Sequence, residues 1–431
     1  MRAAGYCSCR RSKEKDCGTK IAAVFFKRRT RMEKKVLELY VHIPFCVRKC
    51  AYCDFLSWNA DAAWRQEYVE TLVCEIQQAK ESYKEYRVTT IFLGGGTPSI
   101  LSAEQIERIF RALRENFRIE EDAEITIEAN PGTVTAEKAE AWKRVGINRV
   151  SIGLQSAENR ELKMLGRIHT YEEFLDTYRL LREKGFFNLN VDLISAIPGQ
   201  SVKSWERTLR KVADLSPEHI SAYSLIVEEG TPFYAWYGEE SKGKRSQGAE
   251  ADPDGIDGWK RLPLPDEESE RRIYEETEEI LKEYGYSRYE ISNYAKEGYE
   301  CRHNIGYWRR TEYLGLGLGA SSLIENRRFQ NLSDYAAYQN AVQNGSHIVR
   351  EEERLTQEDE MEEFMFLGLR MAAGICRSDF RNTFGKTVEM VYGDVIQTLE
   401  KQELLKCEED RIFLTARGVD ISNYVFEQFL L

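Results

Sequence analysis

The chain has 431 residues, 42% hydrophobic and 11% aromatic, enough for one large core and a second, smaller one. Its net charge of −11 argues against nucleic acid or an anionic membrane surface as main partner, and no run of 18 apolar residues is present to cross a bilayer. Ten cysteines, scattered rather than paired by spacing, predict a reducing, cytoplasmic setting. Residues 1–33 are rich in arginine and lysine and include Cys7, Cys9 and Cys17. They read as the product of an upstream start, with Met32 opening the natural protein; a transit peptide and a second metal site are the alternatives. The segment is expected to be disordered or weakly attached.

From Val36 onward short apolar strands alternate with amphipathic helices. The pattern predicts strands at Glu38–Ile43, Thr89–Leu93, Glu124–Ala129, Arg149–Gly153, Asn188–Leu193 and Ile220–Leu225, with helices at Trp64–Lys80, Ala103–Asn116, Ala136–Val145, Tyr171–Lys184 and Val202–Asp214. Six β/α units in series predict an α/β protein with a parallel sheet and outer helices, whose functional residues lie at the carboxyl ends of the strands. The first strand runs into Cys46, Cys50 and Cys53, spaced C-x3-C-x2-C. That spacing is too close for a disulfide framework and suits a loop around one iron–sulfur cube, three thiolates leaving one iron open. A zinc knuckle or incidental cysteines are the alternatives, and no second CxxC or HxxxH lies near to complete a zinc site.

The cysteine motif, with Tyr52 before its last member, resembles that of the radical S-adenosylmethionine (SAM) enzymes. His42-Ile-Pro-Phe-Cys46 narrows the resemblance to the oxygen-independent coproporphyrinogen III oxidase group. It implies a partial (β/α)6, TIM-like barrel and a [4Fe–4S] cluster on Cys46, Cys50 and Cys53. SAM chelates the open iron in this family and yields a 5′-deoxyadenosyl radical when an electron cleaves it. The run Gly94-Gly95-Gly96-Thr97-Pro98 after the second strand lets backbone approach a ligand closely. The resemblance assigns Gly95, Gly96 and Thr97 to the SAM amino group and Glu128, ending the third strand, to its ribose hydroxyls. It places Gln155, Arg167 and Asp192 in the SAM pocket, where the oxidase branch holds a second SAM, and adds Tyr40 and Tyr52 as contacts. The plainer alternatives are a flexible turn for the glycines, a surface acid for Glu128, a surface ion pair for Arg167 and aromatic core for the tyrosines.

Residues 238–262, rich in Gly, Glu, Ser, Lys and Asp, read as a solvated insertion ended by Pro263 and Pro265. A helix Asp266–Tyr284 and a strand Tyr286–Ser292 follow. Then comes Cys301-Arg-His303-Asn-Ile-Gly-Tyr307-Trp308. A lone histidine is more often structural than a ligand. The pattern H-N-x-x-Y-W, however, resembles the haem-chaperone branch of the oxidase group, which implies His303 as a haem contact with aromatics to stack on a porphyrin. Gly315, Gly317 and Gly319 lack the context of a dinucleotide fingerprint. From Ser333 helical patterns dominate, at Tyr335–Gln343, Gln357–Leu369 and Val388–Lys401. The resemblance implies a smaller, mainly helical, winged-helix-like C-terminal domain, set at residues 301–431 after a barrel of residues 34–300. Its acidic balance argues against DNA.

Two sequence features separate the branches. The oxidase pattern adds a fourth cysteine two residues after the third, where this chain has Phe55. The oxidase also carries an N-terminal segment that residues 1–33 do not supply. With His303–Trp308, these favour a haem chaperone delivering haem to apo-haemoproteins such as respiratory enzymes. The alternatives are decarboxylation of two propionates of coproporphyrinogen III and some other radical SAM reaction. A chaperone of this group implies haem, its acceptors, an electron donor, a transient contact with membrane proteins and a homodimer.

Overall fold

The apolar runs of the first half become strands because every second residue has a helix to bury against. In β1 (Lys35–Ile43), Leu37, Leu39, Val41 and Ile43 are fully buried, while Glu38, Tyr40 and His42 alternate onto the opposite face. The computed structural model describes residues 35–238 and 262–431. Residues 1–33 and nearly all of the 238–262 insertion, expected to be disordered and solvated, lie outside the described residues.

Next come β2 (Tyr86–Gly95), β3 (Ile119–Ala129), β4 (Arg149–Gln155), β5 (Leu189–Ser195) and β6 (His219–Ser224), paired in parallel in that order, with β1 beside β2. These are the six expected strands. The helices between them have sequence-encoded starts. Ser102, Thr170 and Ser201 each close a capping box ahead of the helices Ala103–Asn116, Tyr171–Glu183 and Val202–Ala213. Ile106, Ile109, Phe110 and Leu113 form the buried stripe of the first of these.

The sheet does not stop at β6. The hairpin β7 (Ser287–Glu290) and β8 (Asn293–Ala295) adds to β6; β7 falls within the strand expected at Tyr286–Ser292, and β8 lies beyond it. On the far side, β9 (Tyr313–Leu316) pairs in parallel with β1, and β10 (Ser321–Ile324), β11 (Arg327–Asn331) and β12 (Val349–Arg354) continue antiparallel. The sheet has twelve strands. Residues 301–354, assigned from sequence to the C-terminal domain, thus carry four strands of it, and a second hydrophobic core begins at Met361. That core packs the helices Gln357–Gly368, Arg377–Phe384 and Val388–Lys401 with a small sheet of β13 (Ile375–Cys376), β14 (Leu405–Glu408) and β15 (Arg411–Leu414). The architecture is α/β, a partial barrel with a smaller helical domain.

Glu75, on the helix Ala62–Ala79, joins the added strands to the barrel. It is buried and accepts hydrogen bonds from the Gly317 amide (2.8 Å), the Asn331 amide side chain (2.9 Å) and the Tyr338 hydroxyl. Among the described residues no helix is long and apolar enough to cross a membrane.

Candidate cluster and cofactor site

The cysteine loop leaves the carboxyl end of β1 and is held by backbone bonds to its surroundings. The Cys46 amide donates to the Trp58 carbonyl (3.0 Å), the Trp58 amide to Pro44 (3.0 Å), and the Ala51 amide to Leu165 (3.1 Å). Cys46, Cys50 and Cys53 are free, half-buried, and line one cavity of about 420 Å³. Burial pushes the Cys53 thiol up to about 11. Tyr52, Gly95, Gly96, Thr97, Glu128, Gln155, Arg167 and Asp192 line the same cavity. Tyr40 is the exception: it faces an adjoining chamber, with its hydroxyl 2.9 Å from His42 Nδ1.

A hydrogen-bonded arc links two of the cysteines. Thr97 Oγ1 lies 3.5 Å from Cys46 Sγ and accepts from Asn130 Nδ2 at 2.8 Å. Arg167 Nη2 donates to Asn130 Oδ1 (2.7 Å) and to the Gly153 carbonyl (2.6 Å), while its Nη1 reaches Cys50 Sγ at 3.6 Å. Arg167 is therefore no surface ion pair. Asn130 was not among the residues expected from sequence, although it stands two places after Glu128 at a strand end. Its role depends on partners distant in the chain. Gln155 adopts φ 76°, a left-handed conformation uncommon outside glycine, at the carboxyl end of β4; such strain collects at functional sites.

Glu128 Oε2 accepts from the Gly95 amide at 3.1 Å, and burial, with Asp192 nearby, pushes this carboxyl up to about 8. Asp192 is also raised by burial, although Ser151 Oγ and Asn190 Nδ2 each donate to it at 2.8 Å. The cavity therefore combines three soft sulfur donors, a close backbone approach at Gly95–Gly96 and a buried carboxyl, Glu128, that retains a proton near neutrality.

The adjoining chamber, about 760 Å³, lies inside the barrel and shares Phe55, Gly95, Glu128, Ser151, Asp192 and Tyr223 with the first. Phe92, Tyr307, Trp308 and Tyr313 give it aromatic walls, and Leu367 of the C-terminal domain contributes to its lining. His303, expected from sequence as a haem contact, does not line it. The ring is 1% exposed, stacks on Phe92 at 5.2 Å, and has both nitrogens engaged, Nδ1 by Thr90 Oγ1 (2.7 Å) and Nε2 by the Tyr307 hydroxyl (3.0 Å). Burial lowers its pKa to about 3, so it is neutral. His303 braces the helix Arg302–Trp308 against β2 and thereby sets Tyr307 and Trp308 at the chamber wall.

Residues 40–212 match the radical SAM superfamily, and residues 355–421 match the HemN C-terminal domain. Heme chaperone HemW of Lactococcus lactis is 37% identical over 400 residues, covering 93% of this chain and 99% of that protein. The Bacillus subtilis heme chaperone HemW is 34% identical over 392 residues, covering 91% and 98%. Among solved structures, coproporphyrinogen III oxidase (HemN) of Escherichia coli, a radical SAM enzyme, superposes with a TM-score of 0.77 at 25% identity, covering 92% of this chain and 90% of that one. A [4Fe–4S] cluster and SAM follow from the superfamily, and the three free cysteines around one cavity fit the cluster. The oxidase shares the fold, but near-complete alignment at well over 30% identity is with the chaperones, and the chain belongs to the HemW family of the radical SAM superfamily.

Proposed function

We propose that this protein is a haem chaperone of the cytoplasm that binds haem in the barrel chamber and hands it to apo-haemoproteins such as respiratory enzymes. The observation that carries this function is the chamber itself: about 760 Å³, aromatic-walled, and sharing Phe55, Gly95 and Glu128 with the cysteine-lined cavity. That volume is within the usual range for small-molecule sites, and aromatic faces suit a flat macrocycle. Phe55, 59% exposed, stands at the junction of both cavities where the oxidase pattern has cysteine.

Cys46, Cys50 and Cys53 would hold the cluster, losing their protons as they ligate iron. Gly95, Gly96 and Thr97 would receive the amino group of SAM, Glu128 its ribose, with Tyr52, Gln155, Arg167 and Asp192 completing the pocket and Tyr40 behind it. A cluster and SAM held by these residues would supply the chemistry of one-electron sulfonium cleavage. Arg167 steadies Cys50 from the side, and Glu128, protonated near pH 7, can donate to a hydroxyl oxygen. The proposal includes an electron donor, a transient contact with membrane-bound acceptors and a homodimer.

Gly96 offers a direct test of the pocket. A Cβ there would lie 2.7 Å from the Phe45 carbonyl oxygen and 2.9 Å from its nitrogen, both backbone atoms that cannot swing away. Gly96→Ala is expected to weaken SAM binding by about tenfold or more in calorimetry, since about 1.4 kcal/mol of misplacement suffices. Function is tested by reconstituting the cluster without oxygen, then titrating haem and assaying coproporphyrinogen III turnover in parallel. Stable haem binding without decarboxylation is expected; turnover without haem binding would establish the oxidase instead.

A further inference from the structure

Arg149 opens β4, so its side chain sits deep in the barrel, away from the mouth formed by the strands' carboxyl ends. It is 2% exposed and lines the aromatic chamber. Its Nε has no hydrogen-bond partner, and among the described residues no acid lies within ion-pair distance of it; Glu124 and Asp192 act on its charge only from farther away. The neighbouring acids are already engaged. Glu124 accepts from the Arg302 and His303 amides at 3.0 and 3.1 Å, Asp192 from Ser151 and Asn190, and Glu128 from Gly95. Arg328, the other arginine lining the chamber, is paired with Glu363 at 2.6 Å. A guanidinium stays charged at any ordinary pH, and leaving one buried without a directly bonded counter-ion is costly. Its planar fork matches a carboxylate. Burial pushes Glu128 up to about 8, which reduces the negative charge competing with an incoming anion.

We infer that Arg149 anchors a propionate of the bound haem, pairing the macrocycle's acidic edge with a chamber cation that no acid bonds directly. The assignment rests on the haem-binding function proposed above. A carboxylate could also come from the methionyl end of a second SAM, and the test separates the two.

The experiment compares haem with its dimethyl ester, which keeps the macrocycle and removes both charges, in the cluster-loaded full-length protein. Wild type is expected to bind haem about tenfold or more tightly than the diester, as hydrogen bonds to charged groups contribute. Arg149→Met should bind both ligands equally, with affinity for the diester unchanged, and Arg149→Lys should keep part of the preference. A general packing defect would weaken both ligands alike and leave their ratio intact. A wild type without preference, or an Arg149→Met variant that keeps it, overturns the assignment. Should Arg149→Met fail to fold, the wild-type ratio and Arg149→Lys decide. Loss of one SAM equivalent from the variant with the haem preference intact assigns Arg149 to SAM and overturns the inference. A wild type that binds neither ligand removes the haem function as well, whereas binding without preference removes only Arg149.

Discussion

Cys50→Ser is expected to reduce the iron taken up on anaerobic reconstitution from about four atoms per chain to less than about a tenth of that. The cause is donor chemistry. A cube with one open iron has three protein thiolates, and a serine hydroxyl is a harder, more basic donor that does not replace one of them. The fold should survive. Cys50 is half-exposed and lies outside the hydrophobic core clusters, and the loop is held through backbone atoms, including the Cys53 amide to the Cys50 carbonyl at 3.3 Å. Its melting temperature should therefore stay within about 3 °C of wild type, both measured without cluster. Cys74→Ser is the control: Cys74 is also free and half-buried, but it lies on the helix Ala62–Ala79, away from the cavity. Full iron content in Cys50→Ser, or equal loss in Cys74→Ser, would place the cluster elsewhere.

The parts of this molecule legible in its sequence are those whose physics is local. β1–β6 show as apolar alternation, and the helix Ala103–Asn116 keeps its expected bounds because Ser102 and Gln105 encode its start within four residues. The cysteines are readable because all three ligands sit on one loop. β9 and β12 were hidden for opposite reasons. Gly315 and Gly317 make β9 look like a ligand loop, yet a Cβ on Gly315 would meet the Ser321 carbonyl oxygen at 2.3 Å, so strand packing requires the glycine. β12 reads Val-Arg-Glu-Glu-Glu-Arg and resembles solvated chain; it is an edge strand, where charge discourages pairing with another molecule.

Side-chain roles that depend on distant partners were illegible. The His303 motif is visible in the sequence, but its ring is held by Thr90, 213 positions away. Asn130 matters through Arg167, 37 positions on. Arg149 begins a strand, the end of the barrel where sequence logic does not look for ligands. In each case the spacing of residues indicates the element, and only the folded chain indicates which face the side chain takes.

Glu75→Leu is expected to destabilise the protein by about 3–5 kcal/mol at pH 5, because three donors lose their acceptor inside the core. The Gly317 amide, the Asn331 side chain and the Tyr338 hydroxyl all point at this carboxyl. Leucine fills the volume but accepts nothing, and the lost bonds are those that fasten β9, β11 and the helix Tyr335–Gln343 to the barrel. Burial pushes Glu75 up to about 7 against the opposing effect of these donors. The unfolded value is about 4.3, so the native state binds this proton more tightly than the unfolded chain. The stability it contributes is thus fully present below pH 4.3 and is lost as the pH rises to about 7, by up to ~4 kcal/mol at about 1.4 kcal/mol per unit. Leucine has no such dependence. The gap between wild type and Glu75→Leu, read from denaturant midpoints, should therefore narrow from pH 5 to pH 8. A gap that widens over that range would mean that the three donors outweigh burial and hold the carboxylate ionised below its ordinary value.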